Sequence, residues 1–529
     1  MTDRISPKIR NDNIPGPYYK PPMERLEIKE EIGGGIFFQY INSIVFVLAG
    51  FIFYIYIIHY YSSELVGTVA LLSAITSLLS AFFALGLGSG LQHYISYYLG
   101  RREFEKIREM ITKFLLIGLF LGILSLVTLY FASPIFAMLF FHTFRYILLV
   151  KYLSLDLMFM VLNAFLGSVL LGLQNFRSQA VWNIAGVLVT YSLPVVLLAI
   201  FHSSIFIVVG WTAGFAFSCT AYLLIILRRM RFMSGNWGGI NMRPVFNYAI
   251  PIFLASLIGT GSAYVDRFVV SYLLNLSLLG IYNFALLISS AIGFIIGPFG
   301  TILLPKFSEM YGIGRMDEMK NYVAKGIELI STIYVPIAML VAALSSSIVL
   351  LLSNEEYLPA SVPVMIVLIV SSIFVSGNIL AVSLQGIRKT RIFLMTSSGA
   401  LLSNFILSIV LIPKYQMIGA SIGYSSVSVV SFFIMYYYAR KYDIQKFEGI
   451  KIAKIYAAGF VMFFVILELQ RVFLYSPLKL FIYIVLGFAI YSGMIKVLRT
   501  FSRQDLDFIM LLIPWWLQNA RVVISALFL

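Results

Sequence analysis

Apolar residues occupy most of this chain in long runs, and short polar segments separate one run from the next. Each run is at least about as long as the ~20 residues that an α-helix needs to cross the hydrocarbon layer of a bilayer. We therefore predict an all-α integral membrane protein. Its fourteen predicted spans are residues 33–58, 65–90, 112–132, 147–171, 180–201, 205–227, 245–271, 277–299, 326–349, 360–383, 391–412, 417–438, 452–473 and 478–498.

The distribution of charge predicts how these spans are oriented. The chain is 60% hydrophobic and 12% charged, and soluble domains carry about twice that share of charged residues. Of the 38 Lys and Arg residues, 32 fall in segments on the same side as the N-terminus. Because basic loops stay in the cytoplasm, we predict a multi-pass protein of the cytoplasmic membrane with both termini inside.

Two halves of the chain resemble each other. At an offset of 213 residues, the pairs are Gly67 with Gly280, Arg102 with Arg315 and Glu105 with Glu318. At an offset of 214, they are Asn183 with Ser397, Thr190 with Asn404 and Pro194 with Ser408. After a five-residue gap, GWTAGF (210–215) matches GASIGY (419–424). Both halves start on the cytoplasmic side, which indicates a parallel repeat of six helices.

The repeat and the polar segments predict the organisation of the chain. The expected parts are a cytoplasmic polar tail (1–32), a six-helix lobe (33–230), a cytoplasmic linker (231–244), a second six-helix lobe (245–440), an extra helix pair (441–500) and an interfacial C-terminal segment (501–529).

Charged residues inside the spans are the strongest functional signal. Asp266 and Arg267 lie in span seven, and Asp156 lies in span four. A charge at membrane depth is costly unless it faces a bundle interior or a watery cavity, so such residues mark functional sites by default. At helical spacing, Arg267 shares a face with Ser256 and Thr260. A buried structural ion pair is the rival interpretation.

Uncharged polar stripes follow several spans. Gln39 lies in span one, Asn163 lies on the face of span four that carries Asp156, and Asn378 lies in span ten. Such residues either line a polar route or hold helices together, and the residues themselves favour neither. The Gly pairs of GWTAGF and GASIGY are expected to be close-packing sites.

The sequence lacks the machinery of an enzyme. It has no phosphate-binding glycine loop followed by Lys, and the segments on the outer side are short. One cysteine, Cys219, excludes an internal disulfide, and the four histidines have no metal-ligand spacing. We predict no enzymatic activity, no cofactor and no metal site.

Four segments resemble the polysaccharide-transport flippases, in the superfamily that also holds the multidrug extruders and the lipid II flippase. They are residues 86–107, 265–285, 303–322 and 384–425, with the DR pair at Asp266 and Arg267 among them. The resemblance covers essentially all spans. It implies two lobes around a central cavity, lined by spans one and seven, and translocation of lipid-linked sugars by alternating access.

We therefore expect a flippase for polyprenyl-(pyro)phosphate-linked oligosaccharide. The other hypotheses are a cation-coupled extruder of drugs or metabolites, and a membrane scaffold that transports nothing.

The expected partners are the lipid-linked substrate, membrane lipids, and glycosyltransferases and a polymerase of the same pathway. Nucleic acid is not expected, and the protein is expected to be a monomer. Candidate substrate-binding residues are Arg267, Asp266, Gln39, Asn42, Asn163, Ser256, Thr260 and Asn378, and the candidate ion-coupling residue is Asp156.

Overall fold

The computed structural model describes residues 22–231, 239, 241–472 and 477–500, and the regular elements in these ranges are all helical. Seventeen α-helices follow one another: α1 Pro22–Tyr60, α2 Ser63–Ala84, α3 Leu87–Gly100, α4 Phe104–Phe141, α5 Ile147–Gly172, α6 Phe176–Phe201, α7 Ile205–Met230, α8 Arg243–Leu273, α9 Leu276–Gly293, α10 Gly297–Gly312, α11 Met316–Ala343, α12 Ser345–Leu352, α13 Ser361–Ile373, α14 Gly377–Gly386, α15 Arg391–Lys441, α16 Gly449–Val472 and α17 Pro477–Val497.

Thirteen helical segments in the described ranges are long and apolar enough to cross a membrane. One of them, the 51-residue α15, contains two spans, because its backbone is not helical at Gln416 (φ 49°, ψ −125°). The two arms then run antiparallel, since Gly423 contacts Ser408 and Ser426 donates a hydrogen bond to Ser403. The structure is therefore an all-α membrane fold, and its apolar segments correspond to the fourteen predicted spans.

The offset between the two halves reappears in the helices. Helix α2 begins at Ser63 and α9 begins at Leu276, which is 213 residues later. The chain changes direction at the C-terminal ends of both helices. After α2, Leu85 and Gly86 adopt left-handed φ values of 49° and 63°, and after α9 a short 3-10 turn at Phe294–Ile296 leads into α10. We refer to α1–α7 as the N-terminal lobe and to α8–α15 as the C-terminal lobe.

The two lobes touch where α2 crosses α9, at the glycines that the repeat pairs with each other. A Cβ atom on Gly67 would lie 2.9 Å from the Gly280 nitrogen, and one on Gly280 would lie 2.8 Å from the Gly67 nitrogen. The carbonyl oxygens of Leu276 and Ser63 would be closer still. Only glycine allows two backbones to approach this closely. This contact closes the interface between the lobes at the end opposite the basic loops, and α3 packs against α8 at the other end.

Glycines also pack the last two spans of each half, as predicted. In the N-terminal lobe, Gly210 faces Pro194 and Gly214 faces Thr190 across the α6–α7 contact. In the C-terminal lobe, Gly419 faces the Leu411 backbone and Gly423 faces Asn404 and Ser408. The prediction that GWTAGF and GASIGY are close-packing sites is confirmed.

Two details differ from the predicted spans. Helix α1 begins at Pro22, so the segment predicted as a polar tail to residue 32 already ends in helix. Span ten is not one helix, because the chain turns at residues 374–376 between α13 and α14. The candidate residue Asn378 therefore lies in α14, after the break.

The extra helix pair α16–α17 is held to the C-terminal lobe by polar contacts. The buried Glu328 of α11 pairs with Lys325 (2.9 Å) and lies 3.7 Å from Lys451 of α16. The Tyr456 hydroxyl donates to the carbonyl oxygens of Ser372 and Ile373 at the break in span ten (2.8 and 3.0 Å). The predicted interfacial segment 501–529 lies outside the described residues.

Candidate functional site

The candidate site is organised by the α8–α9 hairpin, which places two adjacent residue pairs side by side. Asp266 contacts Tyr282, and Arg267 contacts Asn283, each partner being 16 residues further along the chain. Asn275 ends the turn and caps α9, because its side chain accepts a hydrogen bond from the Leu278 nitrogen (2.8 Å). The short turn therefore fixes which residues of α9 face the Asp–Arg pair.

Asp266 is fully buried and is bound within its own lobe. Its carboxylate accepts a hydrogen bond from the Tyr282 hydroxyl (2.7 Å) and a longer one from the Asn404 amide (3.4 Å). Asn404 in turn donates to the Ser262 carbonyl and accepts from the Ser408 hydroxyl. This network ties α8 to α9 and to the first arm of α15, so Asp266 is a structural acceptor in this conformation.

Arg267 has different partners from its neighbour. Its Nε donates to the Asn283 side-chain oxygen (3.1 Å), and one terminal nitrogen donates to the Ala263 carbonyl (2.9 Å). The guanidinium carbon lies 4.6 Å from the centre of the Tyr264 ring, within cation–π range. Within the described residues, Arg267 forms no ion pair, and its second terminal nitrogen donates to no protein atom. A guanidinium has five N–H donors, so most of them are available to a ligand.

Arg267 lies directly beneath the contact that closes the lobes. Asn283 is three residues past Gly280 on α9, which corresponds to about 4.5 Å of helix rise. The partly exposed Arg267 side chain therefore faces the interior next to this closure. Tyr54 of α1 and Tyr424 of α15 complete its surroundings. Helices from both lobes thus converge on one cation.

Asp156 faces a cavity inside the N-terminal lobe. The cavity has a volume of about 280 Å³ and reaches Tyr264 on α8. Asp156 is 1% exposed, and its Oδ1 atom has no hydrogen-bond partner among the described residues. Asn183 and Thr190 also line the cavity. An unpaired buried carboxylate beside polar side chains can hold a proton or a cation.

Gln39 and Asn42, both predicted to bind substrate, form contacts between α1 and α6. Gln39 donates to the Gln179 side chain (2.6 Å), and Asn42 accepts from Asn183 (2.9 Å). In this conformation, these two residues correspond to the helix-packing alternative for the polar stripes.

The other candidates are dispersed. Asn163 faces α7, where it lies beside Cys219, and its amide nitrogen has no partner in the described part of the chain. Ser256 bonds back to the Phe253 carbonyl in its own helix, and Thr260 is half-buried on α8. Asn378 donates to the Val375 carbonyl at the break in span ten. The structure does not bring these four residues together with Arg267.

Two residues of the site were not predicted, namely Tyr282 and Asn283. Both lie in the segment that carries the family resemblance. Tyr282 follows Asp266, and Asn283 follows Arg267, by 16 residues, on the second helix of the hairpin. A tight turn at Asn275 in an antiparallel helix pair was the signal that could have located them.

A protein family described as polysaccharide biosynthesis protein matches residues 61–362, which is more than half of the chain. The chain belongs to this family. The predicted resemblance to the polysaccharide branch of the exporter superfamily is thereby confirmed. Family and fold also agree with the prediction of a transporter rather than an enzyme.

Solved structures share the fold. The lipid II flippase MurJ in an inward closed conformation is 18% identical, with a TM-score of 0.70, and the match covers 87% of this chain and 98% of that one. An inward-facing multidrug resistance MATE family transporter of the MOP superfamily is 16% identical, with a TM-score of 0.61, and the match covers 77% and 98%.

One curated relative is the uncharacterized membrane protein MJ1068 of Methanocaldococcus jannaschii. It is 26% identical over 197 residues, which is 37% of this chain and 38% of the relative. The match therefore spans less than two fifths of the relative's length.

Proposed function

We propose that this protein moves polyprenyl-(pyro)phosphate-linked oligosaccharide across the cytoplasmic membrane by alternating access, for assembly of cell-surface polysaccharide or glycan. The observation that carries the proposal is Arg267, a cation in the interior between the lobes whose hydrogen-bond and ring partners are all neutral. Membership in a polysaccharide biosynthesis family and the fold shared with a lipid II flippase support it.

The chemistry of such a substrate matches this arrangement. The phosphate groups need a cation, the glycan needs a hydrated polar route, and the lipid tail can remain in the bilayer between the lobes. Arg binds phosphate through two parallel N–H donors, and Arg267 uses only two of its five donors on protein atoms within the described residues. The contact at Gly67 and Gly280 lies just outside this point. Opening of that contact would release the headgroup to the far side of the membrane.

Vesicles that contain the purified protein and a fluorescent lipid-linked oligosaccharide test this function. We expect protein-dependent movement of the sugar between leaflets, measured by accessibility to an impermeant quencher. A lack of movement together with export of organic cations would favour the drug extruder, which has no use for an interior Arg. Absence of both activities would favour the scaffold.

We further propose that Asp156 couples an ion to transport, since its carboxylate faces the N-terminal-lobe cavity without a protein partner. Asp156→Asn is expected to reduce the initial transport rate about tenfold or more while leaving the amount of folded protein in the membrane unchanged. The measurement is transport with and without an imposed proton or sodium gradient. Full activity that still responds to the gradient would contradict the assignment, and so would failure of the variant to accumulate.

Orientation is a further proposal, based on the 32 basic residues on one side. Single cysteines in a Cys219→Ser background should be labelled by an impermeant reagent in intact cells at the outer positions only. Positions 102, 229 and 440 are expected inside, and positions 62 and 355 outside. Labelling of residue 62 or 355 only after permeabilisation would show that the orientation is the reverse of the proposed one.

A further inference from the structure

A second cavity, separate from Arg267, lies at the end of the N-terminal lobe opposite the basic loops. It has a volume of about 450 Å³, within the range of ligand-binding pockets. Three connections form it: Tyr61 and Ser62 between α1 and α2, Arg145 and Tyr146 between α4 and α5, and residues 202–204 between α6 and α7. We refer to it as the outer pocket. None of its lining residues belongs to the C-terminal lobe.

The connection between α6 and α7 forms one wall of the outer pocket, and it is longer than the corresponding connection in the C-terminal half. Pro194 pairs with Ser408 at an offset of 214, but Gly210 pairs with Gly419 at 209. The N-terminal half therefore has five extra residues between α6 and α7, where His202, Ser203 and Ser204 lie. The corresponding connection in the C-terminal half is the single sharp bend at Gln416. A packing requirement shared by both halves does not account for this insertion.

Three ionisable side chains of the outer pocket, those of Arg145, His202 and Glu64, are available to a ligand. The exposed Arg145 guanidinium and the exposed His202 ring have no hydrogen-bond or ion-pair partner in the part of the chain that the structure describes. Glu64 accepts one hydrogen bond from the Tyr146 hydroxyl (2.8 Å), and that bond uses only one of its two carboxylate oxygens. The pocket therefore offers a guanidinium, an imidazole and a carboxylate to a ligand.

The floor of the outer pocket is apolar. Leu65, Leu149, Leu198 and Ile205 line it, and the partly buried rings of Tyr61 and Tyr146 stand at its side. The Tyr61 hydroxyl is occupied by a bond to the Leu198 carbonyl (3.0 Å), which holds that ring in place. A sugar ring has one apolar face and a polar edge, and this combination of walls suits such a shape. A small inorganic anion would leave the apolar floor unused.

We propose that the outer pocket binds an acidic sugar residue of the translocated glycan. Arg145 pairs with the sugar carboxylate through its planar fork, and Glu64 and the serine hydroxyls hold the ring hydroxyls. The pocket receives the glycan on the side where it is delivered. This inference rests on the proposed function, because it assumes that a glycan reaches this side of the membrane.

Titration of the purified full-length protein with D-glucuronate and D-galacturonate, followed by saturation-transfer NMR and calorimetry, tests this proposal. We expect at least one uronate to bind saturably and D-glucose to bind at least tenfold more weakly. Arg145→Ala should weaken uronate binding at least tenfold. The matched control is Lys151→Ala, which removes a nearby basic residue that lies on the Tyr130 ring and not in the outer pocket.

Three results would overturn the assignment: no saturable uronate binding, equal binding of inorganic phosphate, or binding that Arg145→Ala leaves unchanged. The vesicle assay with lipid-linked oligosaccharide distinguishes this failure from failure of the proposed function. Transport without uronate binding would contradict only the proposal that the outer pocket binds an acidic sugar. Uronate binding without transport would contradict the proposed flippase function and would show that the outer pocket is a saccharide-binding site.

Discussion

Replacement of Arg267 by alanine is expected to abolish flipping of a lipid-linked oligosaccharide, while the protein still reaches the membrane and melts within a few degrees of the wild type. Arg267 is held by Asn283, the Ala263 carbonyl and the Tyr264 ring, all of them neutral. Its loss removes no hydrogen bond from Asp266, whose carboxylate is held by Tyr282 and Asn404. Truncation of a buried ion pair typically costs about 3–5 kcal/mol, and we expect a smaller loss here because the Asp266 and Arg267 side chains are not in direct ion-pair contact.

Arg267→Lys separates the phosphate contact from a general need for charge. Lysine keeps the positive charge but lacks the planar fork, so we expect partial transport activity. The stability of each variant is measured by thermal unfolding in detergent. The phosphate assignment fails if Arg267→Ala is unstable and the added change Asp266→Asn restores both folding and transport. That result would show that Asp266 is the true partner of Arg267, although Tyr282 and Asn404 occupy its carboxylate in this structure.

Gly280→Ala is expected to hold the lobes apart at the end opposite the basic loops and to reduce transport at least tenfold. The added methyl group would lie within 3 Å of the Gly67 nitrogen and against the Ser63 carbonyl, and both are backbone atoms that cannot rotate away. Alanine is about 1 kcal/mol better than glycine inside a helix, so any loss must come from this contact. Spin labels at residues 62 and 355 should move apart by several ångströms in a distance measurement.

The matched control for this change is Gly293→Ala on the same helix. A Cβ atom there would meet no atom within 4 Å, so transport and the label distance should stay at wild-type values. If Gly280→Ala shows the wild-type label distance and wild-type transport, the lobes do not close through the glycine contact.

The apolar runs determine most of the architecture without reference to tertiary contacts. A span must be long and apolar because the bilayer provides no hydrogen-bond partners for an exposed backbone, and this requirement is local to each segment. The same holds for the repeat, which appears as offsets in sequence and again in the starts of α2 and α9. Residues such as Asp266 and Arg267 are conspicuous for the same reason, since charge inside an apolar run is costly wherever the helix packs.

The partners of those residues depended on tertiary structure. Adjacent positions on α8 point about 100° apart, and the α8–α9 hairpin decides that Asp266 meets Tyr282 while Arg267 meets Asn283. Periodicity identified Gln39 as polar and inward-facing, but only the approach of α6 made it a partner of Gln179. Helical periodicity reports which face a residue lies on, and it contains no information about which helix covers that face.

The outer pocket and the break in span ten also depend on contacts between segments that are distant in sequence. Arg145 and His202 are 57 residues apart in sequence, and each taken alone is an ordinary loop residue. They line one cavity because α4–α5 and α6–α7 turn at the same end of the lobe. In span ten, the apolar pattern continues through residues 374–376, where the chain turns and Tyr456 of α16 caps the freed carbonyls. Hydrophobicity specifies that a segment is buried in the membrane, whereas contacts between distant segments specify where it bends and what it binds.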